Sequence, residues 1–174
     1  MQSPNVEIKP LQPFLRWAGG KRWLVNKECL ITPPKFNTYH EPFLGSAAVF
    51  FSLPSTPFII SDINAELINC YQAIKNDYKQ IDNHLRVHQA KHSKDYYYQI
   101  WQSEPKNELT KAARFLYLNR TCFNGLYRVN QQGIFNVPIG SRNNALLKND
   151  RLKEVEASTF PTWYIYKNQV LQIQ

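Results

Sequence analysis

A carboxylate and two glycine-bearing runs carry the chemistry that can be read from this chain. Asp62 closes Phe58-Ile59-Ile60-Ser61-Asp62, which reads as a short strand ending in an acid. Upstream, Tyr39-His40-Glu41-Pro42-Phe43-Leu44-Gly45-Ser46-Ala47-Ala48-Val49-Phe50 reads as a strand, a tight turn of small residues, and a direct opening into an apolar helix. An acid at the end of a second strand, about 20 residues after a glycine turn at the end of the first, belongs to a βαβ unit that holds an adenosine-containing cofactor. In such a unit the turn presents backbone N–H groups to the ligand and the acid accepts from ribose hydroxyls. The expected role of Asp62 is therefore ribose binding. Its rival role, N-cap of the next helix, is one that Asn64 can fill instead.

The second glycine run lies upstream, in Phe14-Leu15-Arg16-Trp17-Ala18-Gly19-Gly20-Lys21-Arg22. It is not a phosphate-binding P-loop, because Lys21 is followed by Arg22 and no glycine stands at the required earlier position. Together with Glu41-Pro42-Phe43-Leu44-Gly45, the run resembles the Dam-type adenine-N6 DNA methyltransferases, which use S-adenosylmethionine. In that family the Trp-Ala-Gly-Gly-Lys run precedes the cofactor strand, a permuted motif order. The resemblance implies a cofactor site of Trp17, Gly19, Lys21, Glu41, Phe43, Gly45 and Asp62. Trp17 would cover the purine or the sulfonium, the latter a cation–π contact of about 0.5–2 kcal/mol, and Lys21 would pair with the methionine carboxylate. Read without the resemblance, Trp17 is a core residue and Lys21 a solvated one. The family commonly has a second glycine where this chain has Ala47, whose methyl group is expected to narrow the approach to the cofactor.

A third group lies at Phe123-Asn124-Gly125-Leu126-Tyr127-Arg128 and Gly133-Ile134-Phe135-Asn136-Val137-Pro138-Ile139-Gly140, where Leu126–Asn130 and Ile134–Pro138 flank Gln131-Gln132-Gly133 and read as a hairpin. It is similar to the family's target-recognition hairpin. An enzyme that modifies a base must extrude it from the duplex. The resemblance implies that Phe123 stacks in the gap, worth about 1–3 kcal/mol per base, and that Asn124 pairs with the orphaned base. Arg128 would read guanine O6 and N7, with about 1–3 kcal/mol of discrimination, while Leu126 and Pro138 touch neighbouring bases. A packed hairpin with core aromatics is the competing description. Lys111, Arg114, Arg120 and Arg142 are candidate phosphate contacts.

The family's reaction also needs an Asp-Pro-Pro-Tyr tetrapeptide or a close variant, which holds the adenine N6 amine and stacks on the flipped base. The 174 residues contain none. The resemblance runs over roughly residues 12–157, and the tail 158–174 lies outside it. The sequence is therefore read as an amino-terminal, truncated portion of a site-specific adenine methyltransferase of the restriction–modification kind, poorly active by itself, with no catalytic residue assigned. Its rivals are a non-catalytic DNA-binding module that retains the hairpin, and an unrelated α/β enzyme using another adenosine cofactor.

These residues need elements to position them. The expected fold class is α/β: a partial, Rossmann-like methyltransferase sheet carrying a helical and β-hairpin insertion. Residues 1–13 read as an extended arm, 14–76 as the cofactor-binding α/β portion, 77–145 as the target-recognition region, and 146–174 as a helix and divergent tail. Helices are expected from Lys21 to Cys29, from Asn64 with Leu67, Ile68, Tyr71 and Ile74 on one face, over Leu109–Leu116, and over Asn149–Ala157. A chain of this length can bury roughly 70% of its unfolded surface, enough for one core. The net charge of +8 suits a polyanionic partner such as double-stranded DNA. Cys29, Cys70 and Cys122 lack metal or redox spacing and read as reduced thiols. With no apolar run of about 20 residues, the expected location is cytoplasmic and no membrane partner is expected. Oligomeric state is not legible.

Overall fold

The computed structural model describes residues 11–26, 32–33, 35–53, 57–146, 152–157 and 163–167. A small parallel sheet sits at the centre. Its strands are β1 (Tyr39–Glu41), β2 (Phe58–Asp62) and β3 (Trp163–Lys167), in the order β1-β2-β3. Tyr39 pairs with Phe58 on one side of β2, and Trp163 pairs with Phe58 on the other. Phe58 and Ile60 are fully buried, as expected for a strand paired on both edges beneath helices. The tail 158–174, read as divergent and outside the resemblance, contributes β3 to this sheet. The run Trp163-Tyr164-Ile165-Tyr166 is aromatic and β-branched, and strand propensity prevails.

The helices are α1 (Arg22–Asn26), α2 (Ala65–Lys91), α3 (Lys94–Gln102), α4 (Glu108–Thr121) and α5 (Leu152–Ala157). The remainder of the helix expected to Cys29, and residues 1–10 of the expected arm, lie outside the described residues. Asn64 caps α2 by accepting from Leu67 N at 2.9 Å. Leu67, Ile68, Tyr71 and Ile74 are all buried, as their spacing requires. The change of character at residue 77 falls on a kink, where Asp77 leaves helical geometry (φ −159°, ψ 78°). Beyond Phe115, α4 is buried all round, so Asn119, Arg120 and Thr121 enter the interior with the apolar residues.

The segment after Gly45 departs from expectation. In place of an apolar helix there is a turn ending in one short 3₁₀ segment, Phe50–Ser52. Gly45 (φ 53°) and Ala47 (φ 56°) both adopt left-handed backbone, which interrupts any right-handed helix starting there. The methyl group of Ala47 is buried in the core and does not line the neighbouring cleft between Trp17, Gly45 and Asp62. Glycine suits this position through backbone conformation rather than through space for a ligand.

Residues 121–140 form an irregular antiparallel excursion, without continuous strands. Two isolated bridges, Cys122 with Ile139 and Val129 with Phe135, hold it. Its neck is close-packed: a Cβ on Gly140 would lie 2.6 Å from Cys122 O. Among the described residues, no helix is long and apolar enough to cross a membrane.

Candidate functional site

The turn after β1, the Trp17–Lys21 run and the end of β2 enclose a cleft of about 270 Å³ lined by Trp17, Gly19, Lys21, Phe43, Gly45 and Asp62, among others. Three segments distant in sequence thus converge on one cavity. Glu41 is adjacent but not on the wall. It is the last residue of β1, only 3% exposed, and it lies behind Lys21.

Lys21 Nζ donates to Glu41 Oε1 and to Phe43 O, each at 2.6 Å. An ammonium has three donors, so one remains for a ligand. Burial holds the Glu41 carboxyl above its ordinary range, although Lys21 pulls the other way. The pair fixes Lys21 at the cleft and joins the first glycine run to β1.

Asp62 accepts from Gly45 N and from Asn64 N, both at 2.9 Å. The cap of α2 belongs to Asn64, which leaves Asp62 with unused carboxylate acceptor positions toward the cleft. The expectation that the turn offers its N–H groups to a ligand is only partly met. Those of Leu44, Gly45 and Ala47 are taken by Ser61 O, Asp62 and Leu44 O. The first two tie the turn to β2 and the third closes it on itself, which sets its shape.

Trp17 packs against Gly45, where a Cβ would lie 3.0 Å from indole Cδ1. Its other neighbours are Tyr127, stacked with ring centroids 6.1 Å apart, and Phe115 at 6.2 Å. It is half-buried, which combines the two readings made from sequence: core aromatic and cleft wall.

On the excursion, burial alternates in the manner of a half-buried strand. Tyr127, Phe135 and Val137 point inward; Leu126, Arg128, Ile134 and Pro138 are exposed. Tyr97 donates to Val137 O at 2.7 Å from beneath. Phe123 is 56% exposed, beside Asn124 and Gly125, which have φ of 55° and 68°. Left-handed backbone is tolerated by the Asn and Gly found here. Arg128 donates from Nε to Asn136 Oδ1 at 3.1 Å, which occupies one of its five N–H donors. Phe123, Asn124, Leu126, Arg128 and Pro138 are thus all exposed on this one excursion.

Two of the four candidate phosphate contacts are corrected. Arg120 is buried and donates to Ala145 O at 2.7 Å, because the last turn of α4 is enclosed by other segments. Arg114 donates to Ile100 O and Trp101 O, satisfying the end of α3 where carbonyls lack helical partners. Lys111 is exposed and paired with Glu108. Sequence reasoning missed Asn119, whose amide accepts from Arg16 N (3.1 Å) and donates to Arg16 O (2.8 Å) from a fully buried position. The signal was there: Asn119-Arg120-Thr121 directly follows the apolar run Phe115-Leu116-Tyr117-Leu118.

Residues 17–170 match the family model described as D12 class N6 adenine-specific DNA methyltransferase. The chain belongs to that family. The match reaches beyond residue 157, the limit expected from motifs, and takes in β3. Among curated relatives of the D12 class chain, the type II methyltransferase M1.LlaDCHI of Lactococcus lactis subsp. cremoris is 41% identical over 150 residues, covering 83% of this chain and 53% of the relative. M.MjaIII, a type II methyltransferase of Methanocaldococcus jannaschii, is 38% identical over 173 residues, covering 86% and 58%. The DNA adenine methylase of Escherichia coli is 36% identical over 146 residues, covering 76% and 49%. The chain spans about half the length of the curated relatives it matches.

Proposed function

We propose that these residues form the methyl-donor cleft and the duplex-docking surface of a DNA adenine-N6 methyltransferase. The observation that carries this is the convergence of Trp17, Lys21, Gly45 and Asp62 on one cleft, in a chain whose family is the D12 class. S-adenosylmethionine, when bound, supplies an electrophilic methyl group on its sulfonium. Asp62 accepts from the ribose hydroxyls with its remaining acceptor positions. Lys21 directs its third donor at the methionine carboxylate, with Glu41 behind it as a positioning residue. Trp17 closes one wall, and Gly19 leaves its side of the cleft open, since a Cβ there would meet nothing within 4 Å. The cleft is slightly below the about 300–1,000 Å³ usual for small-molecule sites, so part of the donor extends past its mouth, where Phe43 is 77% exposed.

Arg128 reads a guanine through donors not used on Asn136, Phe123 fills the gap left by an extruded adenine, and Asn124 pairs with the orphaned partner. Leu126 and Pro138 flank these contacts. Burial of Tyr127, Phe135 and Val137 anchors the inner face, so the outer face is free for DNA. The division of labour follows the sequence: donor contacts from 14–76, duplex contacts from 77–145.

No Asp-Pro-Pro-Tyr occurs in these residues, so none is assigned to orient the adenine amine. The exposed Phe123, Leu126 and Arg128 also suit a second reading, DNA binding without methyl transfer by this chain. Incubation of the purified chain with methyl-labelled S-adenosylmethionine and a random-sequence duplex pool tests both. The proposal expects retention of duplex with sequence preference and little label transferred. Robust transfer defeats the second reading, and failure to retain any duplex defeats the docking assignment.

A further inference from the structure

We propose that Tyr127 is a positioning residue that links the donor cleft to the DNA-facing excursion, so that occupancy of either raises affinity for the other. The inference rests on the functional reading above. Tyr127 lies between Leu126 and Arg128, two exposed residues assigned to DNA, yet its own ring is turned inward and is 8% exposed. There it stacks on Trp17 at an interplanar angle of 14°. Trp17 also meets Gly45 of the cleft turn, where a Cβ would lie 3.0 Å from indole Cδ1. Tyr127 is further fixed by Phe115 at 4.4 Å between centroids, and by its hydroxyl, which donates to Glu66 in the first turn of α2. One ring is therefore shared between the cleft wall and the backbone that carries Arg128.

A second connection runs alongside. The Asn119 amide pairs with both backbone groups of Arg16, next to Trp17, and its Nδ2 also lies 3.4 Å from Gly125 O. The Arg16 side chain lies under Gly125, where a Cβ would lie 2.5 Å from Arg16 Cδ. A donor that immobilises Trp17 consequently immobilises Tyr127 and the base of the excursion. The outer part of the excursion has few backbone bonds of its own, among them Asn130 N to Ile134 O and Asn136 N to Arg128 O. Ordering it before DNA arrives lowers the cost of docking, and coupling of this kind is reciprocal between the two ligands.

The test measures the dissociation constant of S-adenosylmethionine with and without saturating duplex, using the duplex best retained from a random pool. Wild type should show a ratio on the order of tenfold. Tyr127→Leu should bring that ratio to about one, whatever it does to each affinity alone. A residue that merely supports the fold would weaken both ligands and leave the ratio unchanged, which would overturn the proposal. Glu66→Gln, at a half-exposed position, tests the same link without opening the core, and should lower the ratio in part. Hydrogen exchange gives an independent reading. S-adenosylmethionine alone should slow exchange at the Asn130 and Asn136 amides, and unchanged exchange there overturns the link. A wild type that binds both ligands with a ratio of one defeats only this inference. One that binds neither defeats the functional reading as well.

Discussion

Around the cleft, both charged side chains are engaged: Lys21 by Glu41 and Phe43 O, Asp62 by Gly45 and Asn64. The excursion differs in its apolar side chains. Phe123, Leu126 and Ile134 stand exposed, and two isolated bridges replace a ladder. The contrast suits two kinds of ligand. A small charged donor is bound by groups preset at fixed distances, since ordering them on binding would weaken affinity. A duplex presents a broad surface, suited to exposed apolar side chains and to a cation such as Arg128 that keeps most of its donors unused. The two regions should accordingly fail differently. Changes at the cleft should act first on stability, and changes on the outer excursion should act on discrimination with the fold intact.

The largest effect is expected at Lys21. Lys21→Met leaves the buried Glu41 carboxylate without its cation, and should cost about 3 kcal/mol at neutral pH, the lower end for a broken buried pair because Lys21 is itself about a third exposed. Urea unfolding measures it. A loss below about 0.5 kcal/mol, the range of ordinary surface substitutions, would show that the pair is not structural and would erase the contrast.

Next is Arg128→Ala. It should lower discrimination between the preferred duplex and random duplex by about 2 kcal/mol while changing the urea midpoint little. Equal loss on all sequences would make Arg128 a phosphate contact. Loss of stability instead would place it with the cleft residues.

A smaller, opposite change is expected at Ala47. Left-handed backbone costs a non-glycine residue about 1–2 kcal/mol. Ala47→Gly removes that strain but loses a buried methyl and frees the unfolded chain, so the net gain should be about 0.5 kcal/mol. Thermal unfolding checks the sign. Destabilisation would mean that core packing of the methyl outweighs the strain.

The smallest effect concerns pH. Burial raises the folded-state pKa of Glu41 above its ordinary 4.5. Below that value Glu41 is protonated in both folded and unfolded chains, and its contribution is fully present. As pH rises toward the raised value, the unfolded chain ionises first and stability falls. Glu41→Gln should remove this part of the slope, and Lys21→Met should extend it to higher pH. Urea midpoints measured across acidic to neutral pH decide it; an unchanged slope in Glu41→Gln would assign the fall to other groups.

Much of the cleft was legible because its logic is local. The acid of Asp62 after a β-rich run, the turn at Gly45 and the cap at Asn64 can each be read from a few consecutive residues. The periodic face of Leu67, Ile68, Tyr71 and Ile74 was legible for the same reason. What escaped depends on contacts between distant segments. Nothing near Tyr127 in sequence announces Trp17, and nothing near Asn119 announces Arg16. Arg120 and Arg114 have the composition of surface cations, and only the enclosure of α4 and the end of α3 shows where their guanidinium groups go. The absence of a helix after Gly45 was hidden by the apolar run Ala47-Ala48-Val49-Phe50, since residue types there do not reveal the positive φ of Ala47.

The cleft assignment can be tested most directly by calorimetric titration of the purified chain with S-adenosylmethionine, NAD and ATP, repeated with Asp62→Ala. One saturable site for S-adenosylmethionine is expected, with affinity reduced at least about tenfold in Asp62→Ala, as follows from lost hydrogen bonds to a charged group. No saturable binding, tighter binding of NAD or ATP, or equal affinity in the Asp62 variant would contradict it.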